Sequence, residues 1–136
     1  MSSLLAPLMV VGDDASFCYL MQRYARKAAC PIVLAHFAED ALNIALHQTP
    51  IVVIVELDAP GDRGLTILGT LRAHPLTCDI PVILCSWTDE AEHDALWNSD
   101  DESAALYLRK PILYDDFQAA LTEVGVDLGL VQGVYP

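Results

Sequence analysis

Five side chains able to do chemistry lie just past short apolar runs. Asp13 and Asp14 follow Leu8 to Val11, Glu56 follows Ile51 to Val55, Ser86 follows Ile80 to Cys85, and Lys110 comes after Ala104 to Leu108. Two or three carboxylates around an oxygen-lined hole suit Mg²⁺, a hard cation that takes carboxylates, carbonyls and water. A lysine facing them supplies the positive charge that a phosphoryl group or a carboxylate requires. The residue types point to phosphoryl chemistry, and Glu56 decides its form. Either it accepts a phosphoryl group, or its charge permanently stands in for one.

Positioning these groups together is a task for the elements before them. The run Ile51-Val52-Val53-Ile54-Val55 is β-branched throughout, the pattern of a strand buried on both faces. A carboxylate just past such a strand lies at the carboxyl edge of a sheet, where α/β folds place their sites. The same unit repeats along the chain. Leu8 to Val11 is a strand, and Ser16 to Ala28 carries Phe17, Leu20, Met21 and Tyr24 at helical spacing. Ile32 to Ala35 is a second strand after Pro31, and Glu39 to His47 a helix with Ala41, Leu42, Ala45 and Leu46 on one face, ended by Thr49-Pro50.

The third strand, Ile51 to Val55, passes through Pro60-Gly61 into a helix over Leu65 to Ala73. A fourth strand, Ile80 to Cys85, leads into the acidic segment Thr88 to Asp101, where a fourth helix is expected. A fifth strand, Ala104 to Leu108, precedes a last helix from Tyr114 to Val124. Five alternations predict an α/β fold with a five-stranded parallel sheet and helices on both faces, because parallel strands need right-handed crossovers. A flavodoxin-like (βα)5 doubly wound order, 2-1-3-4-5, makes the first, third and fifth strand ends converge where the winding reverses.

Composition bounds the rest. The 136 residues are 54% apolar, enough for a single domain with a substantial core and too few for a second one. A net charge of -12 with seven Lys and Arg opposes a nucleic-acid partner. The N-terminus lacks a basic region, and no apolar stretch reaches the ~18 residues of a membrane span, so the expectation is a cytoplasmic protein without a membrane partner. Cys18, Cys30, Cys78 and Cys85 have no CxxC spacing and read as buried reduced thiols. His36, His47, His74 and His93 show no ligand spacing and read as surface or packing residues.

With these residues in place, the chain resembles a two-component response-regulator receiver domain over about residues 7–124, in a single domain spanning 1–136 with a C-terminal tail from 125. The likeness is most specific in Leu71-Arg72-Ala73-His74-Pro75 running into Asp79-Ile80-Pro81-Val82-Ile83-Leu84-Cys85-Ser86, and in Tyr107-Leu108-Arg109-Lys110-Pro111. The resemblance implies that an acidic pair after the first strand holds Mg²⁺; here Gly12 stands in place of the first acid and Asp13 takes the second. It implies a phospho-acceptor aspartate four residues before a Pro-Gly turn, a place held by Glu56 before Pro60-Gly61. It also implies a switch hydroxyl at Ser86, a switch aromatic at Tyr107, a lysine at Lys110 followed by Pro111, and an output surface on the fourth helix, fifth strand and fifth helix. The turn before the fifth strand reads Ser103-Ala104-Ala105, which departs from the family's pattern, so a shifted or shortened fourth helix is expected.

The two departures bear on the chemistry. Glu56 carries its oxygens outward by one methylene, on the order of 1.5 Å, and misplacement by ~1 Å can cost ~100-fold in rate. With position 12 lacking an acid, Mg²⁺ binding by Asp13, Asp14 and Glu56 is expected to be weak or absent, and no cofactor is required. An ion pair from Glu56 to Lys110 is expected to bias Ser86 and Tyr107 toward an activated arrangement. The plainer readings are a solvated strand-end acid at Glu56, helix capping by Asp13 and Asp14, a strand-end hydroxyl at Ser86, and an edge aromatic at Tyr107. Asp58 is a second candidate acceptor, on the same side of the strand by period-two alternation but placed in the loop by the Pro60 spacing.

Trp87 and Trp97 bracket the acidic segment and read either as interface or as helix packing. Leu128, Leu130, Val131 and Tyr135 in the tail read as packing or interface residues. The expected function is a non-enzymatic, stand-alone atypical receiver: a protein-interaction module for a histidine kinase or downstream effector, able to form a homodimer through the fourth helix, fifth strand and fifth helix. Two alternatives remain at this point. One is a receiver phosphorylated on Glu56 or Asp58 with Mg²⁺. The other is a small phosphohydrolase, because Val55-Glu56-Leu57-Asp58 is similar to the paired acids of haloacid-dehalogenase-type enzymes.

Overall fold

The computed structural model describes residues 6–36, 38–58, 63–88 and 106–126, with 38–39 and 63–65 described in backbone only. Five strands and four helices occur among them: β1 (Leu8–Val11), α1 (Ala15–Lys27), β2 (Ile32–Ala35), α2 (Ala38–Gln48), β3 (Val52–Glu56), α3 (Arg63–Ala73), β4 (Val82–Ser86), β5 (Leu106–Arg109) and α4 (Tyr114–Glu123). The strands are parallel and ordered β2-β1-β3-β4-β5, the predicted doubly wound arrangement. Past Thr88, the expected fourth helix up to Asp101, with His93 and Trp97, and the tail from residue 127 lie outside the described residues.

Alternation along each strand divides the core into two layers. Leu8, Val10, Val52, Ile54, Ile83 and Cys85 face α1 and α4, where Phe17, Met21, Phe117 and Leu121 close over them. Met9, Val11, Val53, Val55, Val82 and Leu84 face α2 and α3, against Ala41, Ala45, Ile67, Leu68 and Leu71. Both faces of the three central strands are therefore dry, which is why the sequence shows continuous apolar runs there instead of alternation. No helix among the described residues is long and apolar enough to cross a membrane.

Element boundaries moved where proline and side-chain hydrogen bonds intervene. β4 begins at Val82, two residues later than its apolar pattern suggested. Pro81 has no N–H to give to a ladder, and the Ile80 N–H closes a turn on the Thr77 carbonyl at 3.1 Å. That turn is anchored by the buried Thr77 hydroxyl, which donates to the Leu71 carbonyl at 2.6 Å, and by Arg72, whose guanidinium donates to the carbonyls of Cys78 and Ile80. β3 includes Glu56 as its last residue, so the carboxylate belongs to the sheet and is not beyond it. Of the four free thiols, Cys18 and Cys85 are buried as expected, but Cys30 and Cys78 are only half-buried.

Leu84 on central β4 has no exposed surface. Its truncation removes a side chain held between two helices and the sheet, so Leu84→Ala is expected to lower unfolding stability by about 2–5 kcal/mol. Urea denaturation should show a shifted midpoint with an unchanged slope.

Candidate functional site

Parallel pairing carries the chemical groups to one edge of the sheet. Glu56 at the end of β3 is in register with Cys85, and Ser86 at the end of β4 with Arg109. The ladder continues one step past the strands: the Leu57 N–H donates to the Cys85 carbonyl at 2.8 Å, and the Lys110 N–H to the Ser86 carbonyl at 2.7 Å. Lys110 is thereby delivered beside Ser86 with its side chain directed across β4 toward β3. Its ammonium lies 2.6 Å from Glu56 Oε2 and 2.8 Å from Asp58 Oδ2. Only 7% of Lys110 and 4% of Glu56 is exposed, so this is a buried pair extended by a third, partly exposed charge. The Phe17 ring, 4.7 Å from the ammonium, covers it from the α1 side.

Asp58 is the residue that sequence reasoning underweighted. It stands in the loop after β3, as its distance from Pro60 suggested, yet its carboxylate is the meeting point of the site. Ser86 Oγ donates to Oδ1 at 2.7 Å, the Trp87 N–H approaches Oδ1 and Oδ2 at 3.2 and 3.3 Å, and Lys110 donates to Oδ2. Partial burial pushes the Asp58 carboxyl up, but the bonds from Lys110, Ser86 and Trp87 outweigh it and hold the group below its ordinary value. Lys110 shows the converse: burial pulls it down, while Asp58 and Glu56 together hold it above the usual lysine range.

From Asp58 a chain of hydrogen bonds reaches Tyr107. Ser86 Oγ, donating to Asp58, also accepts the Thr88 N–H at 3.0 Å, and the Thr88 carbonyl accepts the Tyr107 hydroxyl at 2.5 Å. The Tyr107 ring is half-buried against the α2/α3 core. Ser86 is engaged on both sides, and the Tyr107 hydroxyl is bonded to the Thr88 carbonyl. The anion that engages Ser86, however, is Asp58 and not Glu56.

Glu56 points elsewhere because position 12 is a glycine. A Cβ on Gly12 would lie 2.7 Å from Glu56 Oε1 and 3.1 Å from its Cβ. The longer acid folds into space that any side chain at position 12 would occupy, and Oε1 takes a 3.3 Å contact from the Asp14 N–H. Gly12 and Glu56 are thus complementary in packing: the missing side chain at 12 leaves the space that the glutamate at 56 fills.

The expected metal set does not assemble in this arrangement. Asp14 uses its carboxylate to cap α1, accepting the Ser16 N–H at 2.9 Å. Asp13 is exposed, and Glu56 is committed to Lys110. Among the described residues no group of three His, Cys, Asp or Glu side chains is placed to hold a metal ion. Of that donor set, Glu56 is engaged by the Lys110 ammonium and Asp14 by the cap of α1. Pro111 follows Lys110 through a cis peptide bond, and with Trp87, Phe17 and Ile112 it lines an apolar cavity of about 160 Å³ beside the ion cluster. His36 Nδ1 donates to the Gly12 carbonyl at 2.9 Å, a packing role next to the site.

Two outcomes are expected from this geometry. Gly12→Ala should displace the Glu56 carboxylate and cost about 1–3 kcal/mol. In a Glu56→Ala background the same change should be nearly neutral, giving a coupling on the order of 0.5–3 kcal/mol by urea denaturation. The second concerns pH. Asp58, held below its ordinary 3.8, contributes stability that is present above that value and is lost as pH falls through its folded value. Lys110, held above its ordinary 10.5, contributes stability that is complete below that value and is lost as pH rises through its folded one. The stability gap between wild type and Asp58→Asn should therefore shrink under acid, and that between wild type and Lys110→Met under alkali.

Comparison with known proteins agrees with the strand order. The chain is 27% identical over 108 residues to Protein PilH of Pseudomonas aeruginosa, covering 79% of this chain and 88% of that protein. It is 28% identical over 108 residues to the DNA-binding transcriptional regulator NtrC of Escherichia coli K12, of which it spans only 22%. Among solved structures, the chemotaxis protein CheY4 of Vibrio cholerae superposes with a TM-score of 0.78 at 18% identity, covering 88% of this chain and 98% of that one. A receiver domain protein from Methanospirillum hungatei gives 0.73 at 17% identity over 96% and 99%. At such identities these superpositions speak for the fold alone. Residues 8–122 match the response regulator receiver domain family, and the chain belongs to it.

Proposed function

We propose that this receiver acts in signal transduction as a protein-interaction module whose working arrangement is held by its own carboxylates, without phosphorylation of Glu56. The observation that carries this reading is the position of the Lys110 ammonium, 2.6 Å from Glu56 and 2.8 Å from Asp58. Phosphorylating a carboxylate needs in-line attack on phosphorus while cations neutralise the developing charge, so catalysis is almost entirely positioning. Here the ammonium is paired with two carboxylates, and one Glu56 oxygen is turned toward Gly12. Attack from Glu56 would compete with its buried ion pair to Lys110.

In this reading Asp58 supplies the negative charge that holds Ser86, and the Ser86–Thr88–Tyr107 hydrogen bonds transmit it toward the surface. Trp87 joins the two, with its N–H on Asp58 and a side chain that is 59% exposed. An exposed tryptophan beside a rigid cluster is the kind of anchor that protein interfaces favour. The partner is a signalling protein such as a histidine kinase or a downstream effector, and the module needs no catalysis of its own and no bound Mg²⁺.

The test pairs two measurements. Wild-type protein incubated with a small-molecule phosphodonor and Mg²⁺ should show no added phosphoryl group by intact mass. Partner capture from native lysate should keep the same bands for wild type with and without the phosphodonor and lose them in Asp58→Ala and Glu56→Ala. Stoichiometric phosphorylation of the wild type, or capture indifferent to both substitutions, would contradict the reading.

A further inference from the structure

Cations are scarce in this chain, seven Lys and Arg against 19 Asp and Glu, yet three of the seven stand together. Arg23, Arg26 and Lys27 fall in the last five residues of α1. With Tyr19, Tyr24 and Tyr114 they line a cavity of about 560 Å³ on the α1/α4 flank, away from Glu56, Asp58 and Lys110. None of the three has a carboxylate within ion-pair distance among the described residues. Two are placed instead over aromatic rings: the Arg23 guanidinium 5.9 Å from the Tyr19 centroid, and the Lys27 ammonium 4.4 Å from that of Tyr114.

Part of this clustering has an internal cause. Cations in the last turn of a helix offset the negative end of its dipole, which accounts for Arg26 and Lys27. It does not account for Arg23 a turn earlier, nor for three tyrosines gathered around the same cations. Tyr24 is fixed by its hydroxyl bond to the Ile112 carbonyl at 2.7 Å and by its ring against Tyr114 at 5.4 Å, so the wall of the cavity is rigid. Tyr19 is 59% exposed, which leaves ring surface open for stacking beside Arg23.

The chemistry of the lining selects the ligand. Guanidinium groups match phosphate oxygens in bidentate geometry, and tyrosine faces take a planar ring. The volume falls within the range of about 300–1,000 Å³ usual for small-molecule sites. Size is constrained from outside as well. A chain of net charge -12 repels an extended polyanion once it runs beyond the patch, since the Debye length is only ~10 Å at 0.1 M salt. A compact anion that ends within the cavity avoids that repulsion.

We propose that the α1/α4 cavity binds a small phosphate-bearing planar ligand of nucleoside diphosphate type, its phosphates on Arg23, Arg26 and Lys27 and its ring against the tyrosines. The inference is independent of the site at Glu56. Isothermal titration of the intact chain, metal-free and at low salt, with ADP, inorganic pyrophosphate, adenosine and a short single-stranded oligonucleotide tests it. Saturable ADP binding is expected, weakened at least tenfold by Arg26→Ala with Lys27→Ala and several-fold by Tyr19→Ala, with the urea midpoint of each variant confirming that it folds. Pyrophosphate should bind more weakly than ADP, and adenosine should give no signal. The proposal is overturned by the absence of saturable ADP binding, by ADP affinity unchanged in the double variant, by pyrophosphate binding as tightly as ADP, or by an oligonucleotide binding more tightly than ADP.

Discussion

Lys110 brings its ammonium into a nearly dry position between Glu56 and Asp58, and the carboxyl edge of the sheet is organised around that charge. An ammonium taken out of water loses several kcal/mol of solvation, which attraction to one carboxylate in a low-dielectric setting only roughly offsets. Two carboxylates and the Phe17 ring meet the demand more fully. Each partner is in turn held from behind. Glu56 rests over Gly12, while Asp58 receives Ser86 and the Trp87 N–H. Removing Lys110 would leave two carboxylates without their cation, and removing either carboxylate would leave the ammonium one partner, so the three charges are coupled.

The sheet makes this unit feasible. Lys110 lies one ladder step past β5, and its N–H is fixed by the Ser86 carbonyl, so the backbone that positions the ammonium also positions the hydroxyl. Apolar strands packed on both faces give the rigid frame on which three charges can be held at hydrogen-bonding distance. Just past β1, the absence of a side chain at Gly12 leaves room for the Glu56 side chain on β3. Glu56 is directed toward Gly12, while Asp58 takes the hydrogen bonds of Ser86 and the Trp87 N–H.

Much of this was legible in the residues. The β-branched run at 51–55 and the repeated apolar segments marked strands buried on both faces, because dry faces leave no polar alternation to confuse the pattern. Strand-end placement then brought Glu56, Ser86 and Lys110 to one edge. Asp58 was not legible in the same way. Its partners are Ser86 and Trp87, far along the chain, and no local spacing encodes a convergence that depends on where a loop folds back. Gly12 and Glu56 could be seen as two departures, but their complementarity is a matter of a 2.7 Å approach that only geometry displays. The start of β4 was misplaced for a local reason, since Pro81 and the Thr77 turn interrupt an apolar run that otherwise reads as strand.

The central claim is that Lys110 is a buried cation held jointly by Glu56 and Asp58. The direct measurement is the ¹⁵N resonance of the Lys110 side-chain ammonium, followed by NMR through an alkaline titration in wild type, Glu56→Gln and Asp58→Asn. The structure predicts a midpoint above the ordinary lysine value of 10.5 in wild type, lowered by each substitution. A midpoint at or below 10.5, or one that neither substitution moves, would contradict it.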